Sequence, residues 1–564
     1  MATFDRVIKG GIVIDGRNFP RYRADVGIRG GRIEKIGKIP TGDADEVIDA
    51  AGLIVAPGFV DLHTHYDAQV FWDPYCTLSG WHGVTSVAIG NCGFGFAPAR
   101  PEMREYLMSS LTRVEAIPKA CMEASLPWTW ETFPQWLDVL DRQPKGLNML
   151  SYVPINPLLV HVMGYEAAKS RDATDEERAE MVRLLQEAID AGACGWSAQR
   201  SAPGTGFDVQ RDYDGTPFAT DLMSMETALA LGAALADYDH TFIQTLMLTD
   251  DPAGDLAHLE ELAAVSNSPI LFNAVGTMAN MPDAHRFILA WIRNCQERGL
   301  PLYAQCVTSG AGFTFTFENW NMWDDSPAWR EATLGTPAER LEKFKDPDRR
   351  KAMIEQPPML FPLDEVVILR TRTEKFLPAK GTKLPDAARI LGYDNQAELL
   401  IDMAVADELT TLLQVPQVNT DPALQAELVV APYALWGVSD GGAHTKFITL
   451  GAYPTESLID FVRERNLVTL EEAHWRLSAL PARAAGFRDR GILVEGAPAD
   501  IVVYDFENLT LHDEEVVEDL PGGEWRRIRR ADGYRHILVN GEVTFVDGKE
   551  TGATPGRLLR HGRG

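Results

Sequence analysis

The chain has 564 residues, 45% of them hydrophobic and 24% charged. That is ordinary globular composition, and the chain is too long for one ordinary domain and suits two or three parts. A formal net charge of −28 repels phosphate backbones and argues against a nucleic-acid partner; its plainer role is solubility.

Residues 1 to about 56 read as short β-strands. "RVIKGGIVID" and "DVGIRGGRIEKIG" are apolar and β-branched, and Gly10-Gly11 and Gly30-Gly31 supply the positive φ that tight hairpins need. At Pro57 the character changes. "GFVDLHTHYD" and "GVTSVAIGNCG" are apolar strands ending in polar, chemically able residues. "TDEERAEMVRLLQEAIDAG" is a predicted helix, opened by a Thr174-x-x-Glu177 capping box and closed at Gly192. The strand "ACGWSAQ", a helix over about 224–236, and the strands "TFIQTLML" and "PILFNAV" follow. Then come the helix "RFILAWIRNCQERG" and the strand "PLYAQCV". Strands alternating with helices predict a parallel sheet, and the number of repeats predicts an α/β fold of the (β/α)₈ TIM-barrel type over 57–485.

From about 309 to 430 the rhythm breaks into an insertion near the barrel mouth. It is rich in aromatics (Phe313, Phe315, Phe317, Trp320, Trp323 and Trp329). These either line the mouth or form the insertion's own core. The strand "ALWGVSDGGAH" restores the alternation, and the helix "TLEEAHWRLSALPARAAG" follows. From 486 to 564 the chain is β again, and its strands are expected to join residues 1–56 in one composite β-sandwich.

The six cysteines, Cys76, Cys92, Cys121, Cys194, Cys295 and Cys306, contain no CxxC pair. They read as free thiols in a reducing compartment. "MATFDRVIKGG" carries charges where a signal peptide would be apolar, and no apolar run approaches the ~20 residues of a membrane span. A cytoplasmic protein without a membrane partner is expected, with a homo-oligomer as the common default.

His63 and His65 stand two apart on a strand and so share a face. At a barrel strand's end that face looks into the mouth, where a divalent cation can bind the imidazole lone pairs. Two hydrogen-bonded structural histidines are the alternative. Asp61 shares the face and Asp67 follows. Asp440 ends a late strand before two glycines; it is either a turn-former or a carboxylate that binds a metal and takes a proton from water. Cys92, in "GNCGFG", can supply a thiolate ligand or be inert. Arg200 and His444 are candidates to bind a substrate carboxylate or polarise a carbonyl, with loop hydrogen bonding as the alternative. His82 reads as structural.

Across "VIKGGIVIDG", "APGFVDLHTHYDAQ", "GVTSVAIGNCGFGFAP", "GVSDGGAH" and "LPARAAGFRDRGILVEGAPADIVVYD" the chain resembles the amidohydrolase superfamily, in particular the D-aminoacylase (N-acyl-D-amino-acid deacylase) group. The resemblance implies the barrel, the composite sandwich, zinc, and hydrolysis of a non-peptide amide by metal-activated water. It implies Asp440 as the catalytic base and His63, His65, Cys92 and Asp440 as metal ligands. Two further histidines of that group are replaced here by Gln244 and Asn273. Amides are weak zinc ligands, so one Zn²⁺ per subunit is expected, and the two amides join Arg200 and His444 as candidate substrate contacts.

Two readings follow. In the first, the protein is a zinc-dependent hydrolase of a small N-acyl amino acid or related amide; the same site could also cleave a cyclic amide, a lactone or a carbamate. In the second, it is a non-hydrolytic binding or assembly protein that kept the fold.

Overall fold

The computed structural model describes residues 3–201, 210–278, 281–310, 312–415 and 418–561. Eight parallel strands form a closed ring. They are Phe59–Asp61, Val84–Ile89, Asn148–Ser151, Gly195–Ser201, Phe242–Leu248, Ile270–Val275, Leu302–Cys306 and Ala434–Trp436, numbered one to eight here. Strands one to three pair in order, as do strands four to eight. Two short links close the ring. The third strand continues past Tyr152 into Val153–Pro154, which pairs with strand four. Thr64 bridges Gly441, joining the ends of strands one and eight.

The predicted helices lie between these strands. Asp175–Ala191 carries the capping box, with Glu177 N donating to Thr174 at 3.2 Å and Thr174 N donating to Glu177 at 2.9 Å. Gly192 ends the helix at φ 114. Ser224 caps Met225–Ala233, and Ala284–Glu297 lies before strand seven. Val87, Trp196, Ile243, Ile270 and Ala304 contribute to the largest apolar cluster.

The chain's two ends meet in one nine-stranded sheet. Ile501–Tyr504 lies between Ile54–Pro57 and Tyr534–Val539, so C-terminal strands pair directly with an N-terminal one. Val7 and Val26 belong to its first strands, and Gly30-Gly31 turns the Tyr22–Arg29/Arg32–Gly37 hairpin. Gly10-Gly11 does not make the expected hairpin. The strand Phe4–Val13 runs through it with a bulge between Ile8 and Gly11, and Gly10 takes φ 72. A β-bulge uses the same left-handed freedom as a turn without reversing the chain.

The stretch after strand seven builds a separate apolar cluster around a small antiparallel sheet of Thr314–Phe315, Val367–Arg370 and Leu412–Gln414. Phe315, Phe317, Trp323 and Trp329 are its core, packed ring against ring. Phe313 and Trp320 instead reach His444, with ring centroids 6.1 and 4.2 Å away. All six therefore pack in or against the insertion's own core, and Phe313 and Trp320 also touch His444. Among the described residues, no helix is long and apolar enough to cross a membrane.

Candidate metal centre at the barrel mouth

Five segments converge at the C-terminal ends of the barrel strands, the end where such barrels place their chemistry. His63 and His65 follow strand one, and their side chains are 1% and 2% exposed. Strand eight approaches them closely. His65 N donates to Gly441 O at 2.6 Å, and a Cβ on Gly442 would lie 2.5 Å from His65 O. The glycines of "SDGG" are therefore a packing necessity. Asp440 before them adopts φ 47, a conformation that non-glycine residues hold when the surroundings impose it. Its Oδ1 lies 3.2 Å from His63 Nε2 and 3.9 Å from His65 Nε2.

Cys92 is held in the left-handed region at φ 57. Asn91 pins this turn by donating to Thr64 O and Ala88 O, each at 2.9 Å. Gly93 N donates to Ser197 on strand four at 2.9 Å. The Cys92 sulfur lies 3.5 Å from His63 Nε2. Ligand atoms of His63, His65 and Cys92 fall within 4.8 Å of one another, the metal-ligating cluster found among the described residues.

The donor set fits a divalent ion. Gln305 on strand seven donates to Leu62 O at 3.4 Å, which turns its Oε1 toward His63 Nδ1 at 3.1 Å. Nδ1 is then the protonated nitrogen of the neutral ring, and Nε2 presents its lone pair to the cluster. Thiolate and imidazole are the donors zinc favours.

The electrostatics are strongly coupled. Burial alone would lower the His63 imidazole, but the Cys92 sulfur and Asp440 carboxylate outweigh it and hold it well above its ordinary value. Burial likewise opposes, and Glu115 and Cys92 overcome, a rise of His65 to about 9. Burial raises Asp440, yet hydrogen bonding and charge from His63, then His65 and His444, bring it down to about 2. Burial raises the Cys92 thiol, and the two imidazoles turn the net shift downward. Asp61 is pushed up to about 7 by burial; it accepts from His63 N at 3.1 Å and braces the backbone. Asp67, raised to about 6 by burial, accepts from Gly90 N at 3.2 Å.

Two residues here were missed in the sequence. Gln305 is one. Glu115, just past the helix Arg104–Val114, is the other: its carboxylate lies 3.1 Å from His444 Nε2 and 3.7 Å from His65 Nε2. Its carbonyl also accepts from His444 N at 2.6 Å. His444 is therefore at the site, though held by Glu115. Arg200, one of the candidate substrate contacts, does not reach this cluster. Strand four alternates, turning Ser197 inward to Gly93 and Arg200 outward to Met225, where Nη1 lies 2.8 Å from the sulfur. Asp255, Asp221 and Asp172 are the charges around it. Gln244 and Asn273 face Cys92 and bond to it and to each other, not outward to the mouth. His82 bonds Thr455 and Arg529 O, each at 2.8 Å, away from the site.

The "Amidohydrolase family" model matches residues 46–312 and 426–545, skipping most of the insertion. This chain belongs to the amidohydrolase family. The N-acyl-D-glutamate deacylase of Alcaligenes xylosoxydans xylosoxydans is 28% identical, over 99% of this amidohydrolase and 96% of that protein. The D-aminoacylase of the same organism is 27% identical, over 99% and 97%. Among solved structures, the N-acyl-D-glutamate deacylase from Bordetella bronchiseptica, complexed with zinc and a phosphonate mimic of the tetrahedral intermediate, superposes with TM-score 0.69 at 24% identity. It covers 99% of this amidohydrolase and 100% of that chain. A D-aminoacylase with a binuclear metal centre, described as showing one-metal activation and second-metal attenuation, gives TM-score 0.69 at 22% identity, over 99% and 100%. These likenesses establish the barrel with its added β-domain.

Proposed function

We propose that this amidohydrolase cleaves the amide bond of a small N-acyl amino acid or a related amide, using one zinc ion held by His63, His65, Cys92 and Asp440. The carrying observation is the convergence of the first three ligands within 4.8 Å, with Asp440 Oδ1 3.2 Å from His63 Nε2. Deacylase relatives spanning nearly the whole chain support the substrate class. Bound zinc supplies Lewis acidity, which polarises a carbonyl and makes water more acidic.

The chain's own residues do the rest. Asp440 keeps 17% of its side chain exposed, against 1% for His63, so it can meet water and substrate. At Oδ1 it takes the proton of the attacking water and delivers it to the leaving nitrogen as the C–N bond breaks. Its depression to about 2 keeps it ionised at neutral pH. Gln305 fixes the His63 tautomer, and Glu115 orients His65 and His444. His444, against Phe313 and Trp320, is the wall we assign to the substrate. We read 57–485 as the catalytic barrel, with 309–430 inserted and 1–56 and 486–564 as its β flank. The sparse, unpaired cysteines support a cytoplasmic setting.

The test is metal analysis and turnover on a panel of N-acyl amino acids for the native chain and His63→Ala. Loss of zinc and of turnover together is expected. Full activity in metal-stripped His63→Ala protein would overturn the reading.

A further inference from the structure

Cys92 has two sides. One faces the His63 imidazole, 3.5 Å away. The other faces two amides, Gln244 on strand five and Asn273 on strand six. The backbone N–H of Cys92 donates to Gln244 Oε1 at 2.6 Å. Gln244 Nε2 donates to Asn273 Oδ1. Asn273 Nδ2 then donates to the Cys92 sulfur at 3.8 Å. The circuit leaves the Cys92 backbone and returns to its side chain.

Each end of this amide pair is committed. Gln244 Oε1 is held by the Cys92 amide, and Asn273 Oδ1 is held by Gln244. Both residues are buried, at 0% and 4% exposure, so breaking the circuit would leave polar groups without water to replace their partners. Local backbone geometry supports the arrangement. The left-handed turn at Cys92 sits over strand five, and the pairing of strands six and seven shifts register between Phe272 and Val275, where Asn273 lies. Amide oxygens are also poor competitors with imidazole and thiolate for zinc.

Resting on the metal reading above, we propose that the Gln244–Asn273 pair closes the inner side of Cys92 and limits this centre to a single metal ion. Asn273 then acts as a positioning residue, donating to the sulfur and keeping Cys92 a ligand to one ion. The D-aminoacylase with the binuclear centre shares the barrel; in this chain hydrogen bonds occupy the inner side of Cys92. A hydrogen bond to a ligating sulfur draws charge from it, as partners behind metal ligands generally do.

The experiment dialyses full-length protein against excess zinc, removes loosely held ion and measures bound metal. The native chain should retain one equivalent, and Gln244→His/Asn273→His about two. In the cobalt-loaded protein, Asn273→Leu should keep one equivalent but shift the sulfur-to-cobalt charge-transfer band. Two equivalents in the native chain would overturn this proposal and the one-ion count, and leave standing the hydrolase reading with His63, His65, Cys92 and Asp440 as ligands. A folded double-histidine variant that still takes one equivalent, or an unmoved band in Asn273→Leu, would also overturn it. No metal in the native chain would remove both readings. If the double variant does not fold, native stoichiometry and the Asn273→Leu spectrum decide.

Discussion

Two pairs of buried histidines in this molecule behave oppositely. At the barrel mouth, His63 and His65 are held above their ordinary value by a thiol and carboxylates, against the pull of burial. At the seam between the barrel and the β-domain, His82 and His474 are lowered by burial, to about 4 and about 3. His82 meets Thr455 and Arg529 O; His474 meets Tyr504 at 2.8 Å. All four histidines are buried, so burial does not distinguish them. What distinguishes them is the company of anionic groups, which marks the mouth as the place built to hold positive charge.

Changes at the mouth should therefore abolish chemistry with little effect on folding, and changes at the seam the reverse. Asp440→Asn should show the largest effect. Removing a positioned proton acceptor costs about 10²–10⁴-fold, so kcat/KM on the N-acyl panel should fall by at least about 10²-fold with Tm nearly unchanged. Residual activity above a tenth of native would deny Asp440 the proton-transfer role. Glu115→Gln comes next. It keeps the shape but removes the charge shared by His65 and His444. Partners that orient metal ligands are worth about 10–100-fold in metal affinity or activity. Zinc retained after dialysis and kcat/KM should both report this loss, and native values in both would leave Glu115 outside the working site.

The same contrast explains what the sequence disclosed. His63-x-His65 and Ser439-Asp440-Gly441-Gly442 are local patterns: strand alternation and close backbone approach are written in adjacent residues. Glu115 had no such signature, because its partner His444 is brought to it only by closure of the barrel. Gln305 left a fainter trace, as an isolated amide inside the apolar strand "PLYAQCV". Arg200 reads in the sequence as lying beyond the "GWSAQ" strand, whereas the strand runs on to Ser201 and alternation turns Arg200 away from the cluster. Ser197 and Gln199 share the inward face, while Trp196 and Arg200 share the other. The barrel was legible because helix and strand periods alternate along the chain; the Gly10-Gly11 bulge was not, because a positive φ serves bulges and hairpins alike.

At the seam the prediction concerns stability. A histidine lowered in the folded state stabilises fully above its unfolded value of about 6.5, and that contribution is lost as pH falls toward the folded value. For His82, with its folded value about 4, descent from pH 6.5 to 5 removes about 2 kcal/mol, at about 1.4 kcal/mol per pH unit. His474 acts in the same direction. Tm should fall between pH 7 and 5, and His82→Gln should flatten that fall while leaving zinc content unchanged. An equally steep fall in the variant would show that His82 does not bind a proton differently on unfolding.

The smallest expected effect tests where mouth and insertion meet. Trp320 belongs to the insertion's core cluster, yet its ring lies 4.2 Å from that of His444 and its Nε1 donates to Val114 O at 3.2 Å. It thus touches His444 and the residue before Glu115. An aromatic contact of this kind is worth about 0.5–1.5 kcal/mol, which is about 2- to 12-fold in a rate or binding constant. Trp320→Phe should retain ring packing and lose only the hydrogen bond to Val114, whereas Trp320→Leu should lose both. If the insertion shapes the substrate wall, the loss in Trp320→Leu should appear mainly in KM, with zinc content unchanged. If it instead acts by holding Glu115 in place, both variants should lose kcat and part of their zinc, because Trp320→Phe already leaves the Val114 carbonyl to Gln210 alone.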